Sequence, residues 1–172
     1  MSPRAVLVGP PGAGKTVVGR LLADRLGADF RDTDADVERL AGKPIPEIFT
    51  NDGEPAFRER EEEAIAVALA EHSGVLSLGG GAVLSERTRE RLVDQPVAFL
   101  SVGLAEGARR TGLSTARPLL AGVNPRATFK ALLQARLPLY RQVATWEVDT
   151  DEIEPPAVVD RIVAGLQAAR TS

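Results

Sequence analysis

An octet near the start of the chain, Gly9-Pro10-Pro11-Gly12-Ala13-Gly14-Lys15-Thr16, narrows the possible folds more than any other feature. It matches the phosphate-binding loop pattern and stands in the context that the pattern needs. Residues 5–8 are an apolar run with the length of a buried strand. Beyond the octet, Val18, Leu21, Leu22 and Leu26 recur at helical spacing, and Gly27 supplies a C-terminal stop. Strand, glycine turn and helix in that order aim backbone N–H groups and a helix N-terminus at one point, which makes an anion site. Lys15 would bring positive charge to the outer phosphates of a nucleotide, and the Thr16 hydroxyl a ligand for Mg²⁺. The plain alternative is a glycine-rich turn with an incidental lysine.

The rest of the chain repeats the alternation. Strands are expected near residues 28–31, 75–78, 97–101 and 146–148, and helices near 35–40, 45–49, 55–70, 86–93, 105–110, 125–140 and 156–169. Residues 111–124, rich in Gly, Ser, Thr and Pro, read as a loop. Strands alternating with helices point to an α/β, three-layer αβα architecture around a parallel sheet. A length of 172 residues suits one domain spanning 1–172. The chain has no cysteine, so disulfides, cysteine zinc sites and thiol nucleophiles are excluded. A net charge of −3 argues against a broad nucleic-acid footprint. No run approaches membrane-spanning length and nothing opens like a signal peptide, so a cytoplasmic protein is expected.

A phosphate loop needs a carboxylate to help hold its metal. The apolar run at 75–78 ends in glycines, so the candidates are Asp32 and Asp34, read as sharing a short extended turn with their carboxylates pointing the same way. One could orient Mg²⁺ and the other meet an acceptor hydroxyl, although a helix cap uses the same residues. Arg136 falls on a helical stripe with Phe129, Leu133 and Tyr140, and Arg58 shares a face with Glu61, Ile65 and Leu69. If both arginines reach the cleft they form a fork for a carboxylate. The bland reading is that Arg58 pairs with Glu61 or Glu62 at the surface while Arg136 snorkels. Gly79-Gly80-Gly81 would let a substrate approach the backbone closely. His72 reads as an exposed turn residue.

The octet, Asp32-Thr33-Asp34, residues 45–49 with Gly53-Glu54, Phe57-Arg58-Glu59-Arg60-Glu61, Gly79-Gly80-Gly81, Arg117-Pro118-Leu119-Leu120 and Arg136 together resemble the ordered motif set of the shikimate kinases. The resemblance covers nearly the whole chain. It implies a five-stranded parallel sheet in the order 2-3-1-4-5, a P-loop kinase fold with a mobile lid near 112–124 and an acceptor region near 33–61. It also implies transfer of the ATP γ-phosphoryl group to the 3-hydroxyl of shikimate, with one Mg²⁺; separately, with no heptad and no long exposed edge to suggest obligate assembly, a monomer is expected. Carried onto this sequence, Gly12, Ala13, Gly14, Lys15, Thr16 and Val17 contact the nucleotide, Arg110 and Pro155 flank adenine, and Arg117 reaches the phosphates. Asp34 meets the acceptor hydroxyl, while Arg58, Arg136 and the backbone of Gly79, Gly80 and Gly81 hold the acid. Glu61 positions Arg58, and Thr16 and Asp32 serve the metal. Asp151, Glu152 and Glu154 depart from the more basic or polar stretch expected beside adenine. The rivals are a kinase for another hydroxy acid such as gluconate, an adenylate-kinase-like enzyme, and a nucleotide-binding switch; no Asn-Lys-x-Asp guanine-reading motif is present.

Overall fold

In the computed structural model, which describes residues 2–111 and 125–170, five strands form a single sheet. They are β1 (Ala5–Val8), β2 (Phe30–Asp32), β3 (Val75–Ser77), β4 (Val97–Ser101) and β5 (Trp146–Asp149). All neighbours run parallel, in the order β2-β3-β1-β4-β5. The helices among the described residues are α1 (Lys15–Leu26), α2 (Thr33–Ala41), α3 (Ile45–Asn51), α4 (Glu54–Glu71), α5 (Glu86–Leu92), α6 (Leu104–Thr111), α7 (Pro125–Val143) and α8 (Pro155–Arg170).

A parallel sheet must bury both faces, and β1 shows how the sequence meets that demand. Its four residues are all apolar and all buried. Successive side chains point to opposite faces, so Ala5 and Leu7 join Leu22 of α1 and Ile162 of α8 in one core. Val6 and Val8 join Ile65 of α4, Leu92 of α5 and Tyr140 of α7 in the other. A third, smaller cluster of Val37, Ile48, Phe57 and Ala64 binds α2, α3 and α4 to one another beside the sheet. Phe49 packs on Phe57 there, with ring centroids 4.8 Å apart. The acceptor region expected near 33–61 thus has a packed floor of its own.

The register aligns the strands so that Val8, Asp32, Ser77 and Ser101 end at the same edge. Loops leaving that edge carry most of the candidate residues, as expected for a doubly wound sheet. Gly9, the first residue past β1, has φ +153°, and a Cβ there would lie 2.4 Å from the Leu100 carbonyl oxygen. Only glycine lets the loop leave the sheet at that point.

Two expectations change. Residues 32–34 do not form an extended turn: Thr33 and Asp34 begin α2, and Asp32 is its N-cap, accepting the Asp34 N–H at 2.9 Å. The reason is local, since an aspartate ahead of an apolar helix satisfies an otherwise orphaned N–H. His72 is half-buried at the C-terminus of α4 rather than an exposed turn residue. Its Nε2 lies 3.2 Å from the Asp29 carbonyl and 3.0 Å from the Val75 carbonyl. Both are acceptors, so this nitrogen carries the proton and ties the residue just before β2 to the start of β3. A 3-10 turn at Ala82–Leu84, which periodicity did not indicate, follows the glycine triplet.

Candidate active site

The loop between β1 and α1 is built as an anion site. Gly12 and Gly14 both take φ +85°, a conformation that side chains disfavour. The Lys15 ammonium is buried and donates to the Gly9 carbonyl at 2.7 Å and the Pro10 carbonyl at 3.1 Å. Those bonds hold a positive charge at the mouth of the loop. Thr16, in the first turn of α1, is exposed beside it.

Beside this loop a cavity of about 470 Å³ runs between α1, α6 and the start of α8. Its walls include Ala13, Gly14, Val17, Arg110, Thr150 and Pro155, so Arg110 and Pro155 border the same space as the loop. Arg110 is held from three sides. Its Nε donates to Glu106 at 2.9 Å, one terminal nitrogen to the Gly12 carbonyl at 3.2 Å and to the Thr150 hydroxyl at 3.0 Å, and the other to the Thr150 carbonyl at 2.8 Å. Arg109 and then Arg110 hold the Glu106 carboxyl down at about 2. Of the acidic stretch, Glu152 and Glu154 line the cavity, while Asp151 accepts the Gly103 N–H at 3.0 Å. Glu106 and Thr150 were not candidates in the sequence; only the four-residue spacing from Glu106 to Arg110 could have hinted at the first.

Past the end of β3, the three glycines are hemmed in by side chains from three directions. A Cβ on Gly79 would lie 2.6 Å from Oδ1 of Asp34 and 2.9 Å from Oε2 of Glu61. One on Gly80 would meet Cδ of Pro11 at 3.0 Å, and one on Gly81 would run into the Arg58 guanidinium, 2.6 Å from Cζ. Gly79, Gly80 and Gly81 therefore make room for a carboxylate pair, the phosphate loop and a guanidinium in turn. The structure so brings Asp34, Arg58, Glu61 and the triplet to one place, beside the loop that begins at Gly9.

The bland reading of the two arginines does not survive. Arg58 does pair with Glu61, at 2.9 Å, but Glu61 is only 3% exposed and the pair lies inward. Glu62 looks elsewhere, accepting from the Ser85 hydroxyl at 2.7 Å. A second contact, from Arg58 Nε to Glu54 at 3.3 Å, fixes the other edge of the guanidinium. Arg136 is 4% exposed and does not snorkel. Burial pulls its pKa below the usual arginine value, and the nearby Arg58 charge pulls the same way, against the opposing influence of Tyr140 and Glu61. Burial likewise pushes the Glu61 carboxyl up, with Asp34 adding to the rise and Arg58 opposing it. Burial and the Arg58 charge both disfavour the Arg136 guanidinium, so an incoming carboxylate beside it would be favourable.

Asp32 and Thr16 supply hard oxygen donors, a carboxylate and a hydroxyl, of the kind Mg²⁺ takes when phosphates complete its shell. Among the described residues no cluster of three His, Asp or Glu could cage a metal alone. Arg117 and the lid expected at 112–124 lie outside the described residues.

The geometry agrees with what the chain is similar to. The family model described as shikimate kinase matches residues 11–167. A shikimate kinase of Saccharopolyspora erythraea is 77% identical over 172 residues, covering 100% of this chain and 98% of that one. Another, of Thermobifida fusca, is 56% identical, covering 97% and 96%. Among solved structures, the shikimate kinase from Acinetobacter baumannii in complex with shikimate superposes with a TM-score of 0.95 at 36% identity, over 100% of this chain and 96% of that one. A phosphate loop, a carboxylate beside a glycine triplet, and two inward guanidinium groups thus stand in a chain matched over nearly its whole length, which belongs to the shikimate kinase family.

Proposed function

We infer that the protein is an ATP-dependent kinase that transfers the γ-phosphoryl group to the 3-hydroxyl of shikimate, giving shikimate 3-phosphate and ADP. The observation that carries this reading is the cluster of half-buried Arg58 with buried Glu61 and Arg136, next to the glycine triplet beside the phosphate loop. A planar guanidinium matches a carboxylate, and two of them select an acid over a neutral polyol. ATP as the donor fits a cytoplasmic reaction, and one compact site within one chain fits a monomer.

In the reaction, the loop from Gly12 to Thr16 grips the phosphates through backbone N–H groups, with Val17 behind it. Arg110 and Pro155 hold adenine between them in the cavity beyond Gly14. Lys15 exchanges its carbonyl partners for phosphate oxygens and spreads the charge that builds on the transferring group. Arg117 is assigned to the same charge from its motif alone. Thr16 and Asp32 would hold Mg²⁺, which supplies charge neutralisation at the β- and γ-phosphates when bound. Arg58 and Arg136, with backbone at Gly79, Gly80 and Gly81, fix the acid, and Glu61 keeps Arg58 oriented. The 3-hydroxyl oxygen forms the new P–O bond as the bond from γ-phosphorus to the β-γ bridging oxygen breaks and ADP leaves. The hydroxyl proton passes late to Asp34.

The direct test is ATP consumption with shikimate, with gluconate and with neither. Turnover that depends on shikimate is the expected result; turnover with gluconate instead would favour the rival acid. Asp34→Asn should cut kcat about a hundredfold while shikimate binding changes little. An unchanged kcat would remove Asp34 from the proton's path.

A further inference from the structure

Tyr140 is the only tyrosine in the chain, and it sits where the acid-binding elements meet. Its ring is 1% exposed and stacks on Phe99 of β4, with centroids 4.9 Å apart and planes 25° apart. Its hydroxyl donates to the Gly80 carbonyl at 2.5 Å. One helical turn earlier on α7, the buried Arg136 guanidinium lies close enough to this hydroxyl for each group to shift the pKa of the other. The phenol is thus bonded to a peptide carbonyl and neighboured by a buried guanidinium.

We propose that Tyr140 is a positioning residue for the acidic substrate, locking the Arg136 guanidinium and the Gly80–Gly81 peptide into one rigid receptor. This rests on the reading of the site as a shikimate site and extends it to a residue that touches no substrate. Three physical steps carry it. The trans peptide plane sets the Gly81 N–H opposite to the Gly80 carbonyl, so a carbonyl drawn to Tyr140 aims that N–H away from α7. The Gly79 and Gly81 carbonyls are held by the Ala82 and Leu84 N–H groups, at 3.1 Å each, and the Gly80 carbonyl between them is held by Tyr140, at a residue type that would otherwise sample many orientations. A positive guanidinium near the phenol polarises the O–H and strengthens its bond to Gly80, so each half of the receptor steadies the other. Burial that pushes the phenol up to about 12 keeps it a donor at every working pH.

Tyr140→Phe keeps the ring and its stacking and removes only the hydroxyl. Initial rates with each substrate varied in turn should give a KM for shikimate raised about tenfold, with kcat and the KM for ATP held within about twofold. The melting temperature and nucleotide binding of the variant report whether the fold is kept. An unchanged KM for shikimate overturns the proposal, as does a parallel loss in kcat and in both KM values, the pattern of a merely structural residue. A second measurement needs no variant: near-ultraviolet absorbance of the lone tyrosine should shift as shikimate is added and saturate with the acid's own binding. A tyrosine band indifferent to a bound acid would overturn the proposal even if the variant failed to fold. Failure of the unmodified protein to consume ATP with shikimate would bring down the functional reading and this inference together. Normal transfer with an unaffected Tyr140→Phe variant would bring down the inference alone.

Discussion

Lys15→Ala should leave a folded protein whose turnover is lower by about a thousandfold, the loss expected when a preorganised positive group is removed from a developing charge. The ammonium lies within the loop, held by the Gly9 and Pro10 carbonyls, and needs only a short excursion to meet phosphate oxygens. Its removal deletes the bonds to the Gly9 and Pro10 carbonyls, and Lys15 belongs to neither of the two cores that clasp the sheet, so these should stay intact. Circular dichroism and the melting temperature check the fold while a coupled ADP assay reads the rate. Turnover near that of the unmodified protein would show that the loop does not act on the transferring group.

The second large effect belongs to Arg136. Arg136→Ala should lower kcat/KM for shikimate by about a thousandfold, the range found when one partner of a buried charge-assisted pair is lost. The KM for ATP should change little, because the cavity between Ala13 and Pro155 is formed by other elements. The variant also relieves the repulsion between Arg136 and Arg58, so the fold should lose little stability and could gain some. An effect confined to ATP would mean that the inward face of α7 serves the nucleotide and not the acid.

The parts of this site that were legible in the sequence are those whose chemistry is written in consecutive residues. Gly9 to Thr16 declares a loop, a strand before it and a helix after it, and those three elements form where their residues predict. The order of the strands was not in the periodicity, since any alternating pattern permits several parallel sheets; it came from the resemblance, and the sheet agrees. Asp32 was ambiguous because one residue type serves two needs, and the structure gives it the cap. The capping bond engages Oδ1 and takes nothing from the hard-donor character that suits a metal.

What the sequence hid are contacts between residues far apart along it. Arg110 finds the Gly12 carbonyl 98 positions away, and Tyr140 finds the Gly80 carbonyl 60 positions away. Each joins a side chain to a backbone group, so neither partner advertises the match by residue type. On the helical stripe Tyr140 was indistinguishable from a core aromatic, and by burial it is one. The polar tip made it more, and a tip is invisible to hydrophobic periodicity. The same holds for the glycine triplet. Its composition suggested a close approach, and the structure supplies the neighbours that require it at each position, namely Asp34 with Glu61, Pro11 and Arg58.

The central claim is that two inward guanidinium groups, Arg136 buried and Arg58 half-buried, hold a carboxylate in line with the phosphate loop. It is tested most directly by comparing shikimate with its neutral carboxamide in calorimetric titrations of the unmodified protein and of Arg136→Ala. The account predicts that the carboxamide binds about a hundredfold more weakly than the acid to the unmodified protein, and that this gap largely closes in the variant. Equal affinity for acid and carboxamide in the unmodified protein would contradict it.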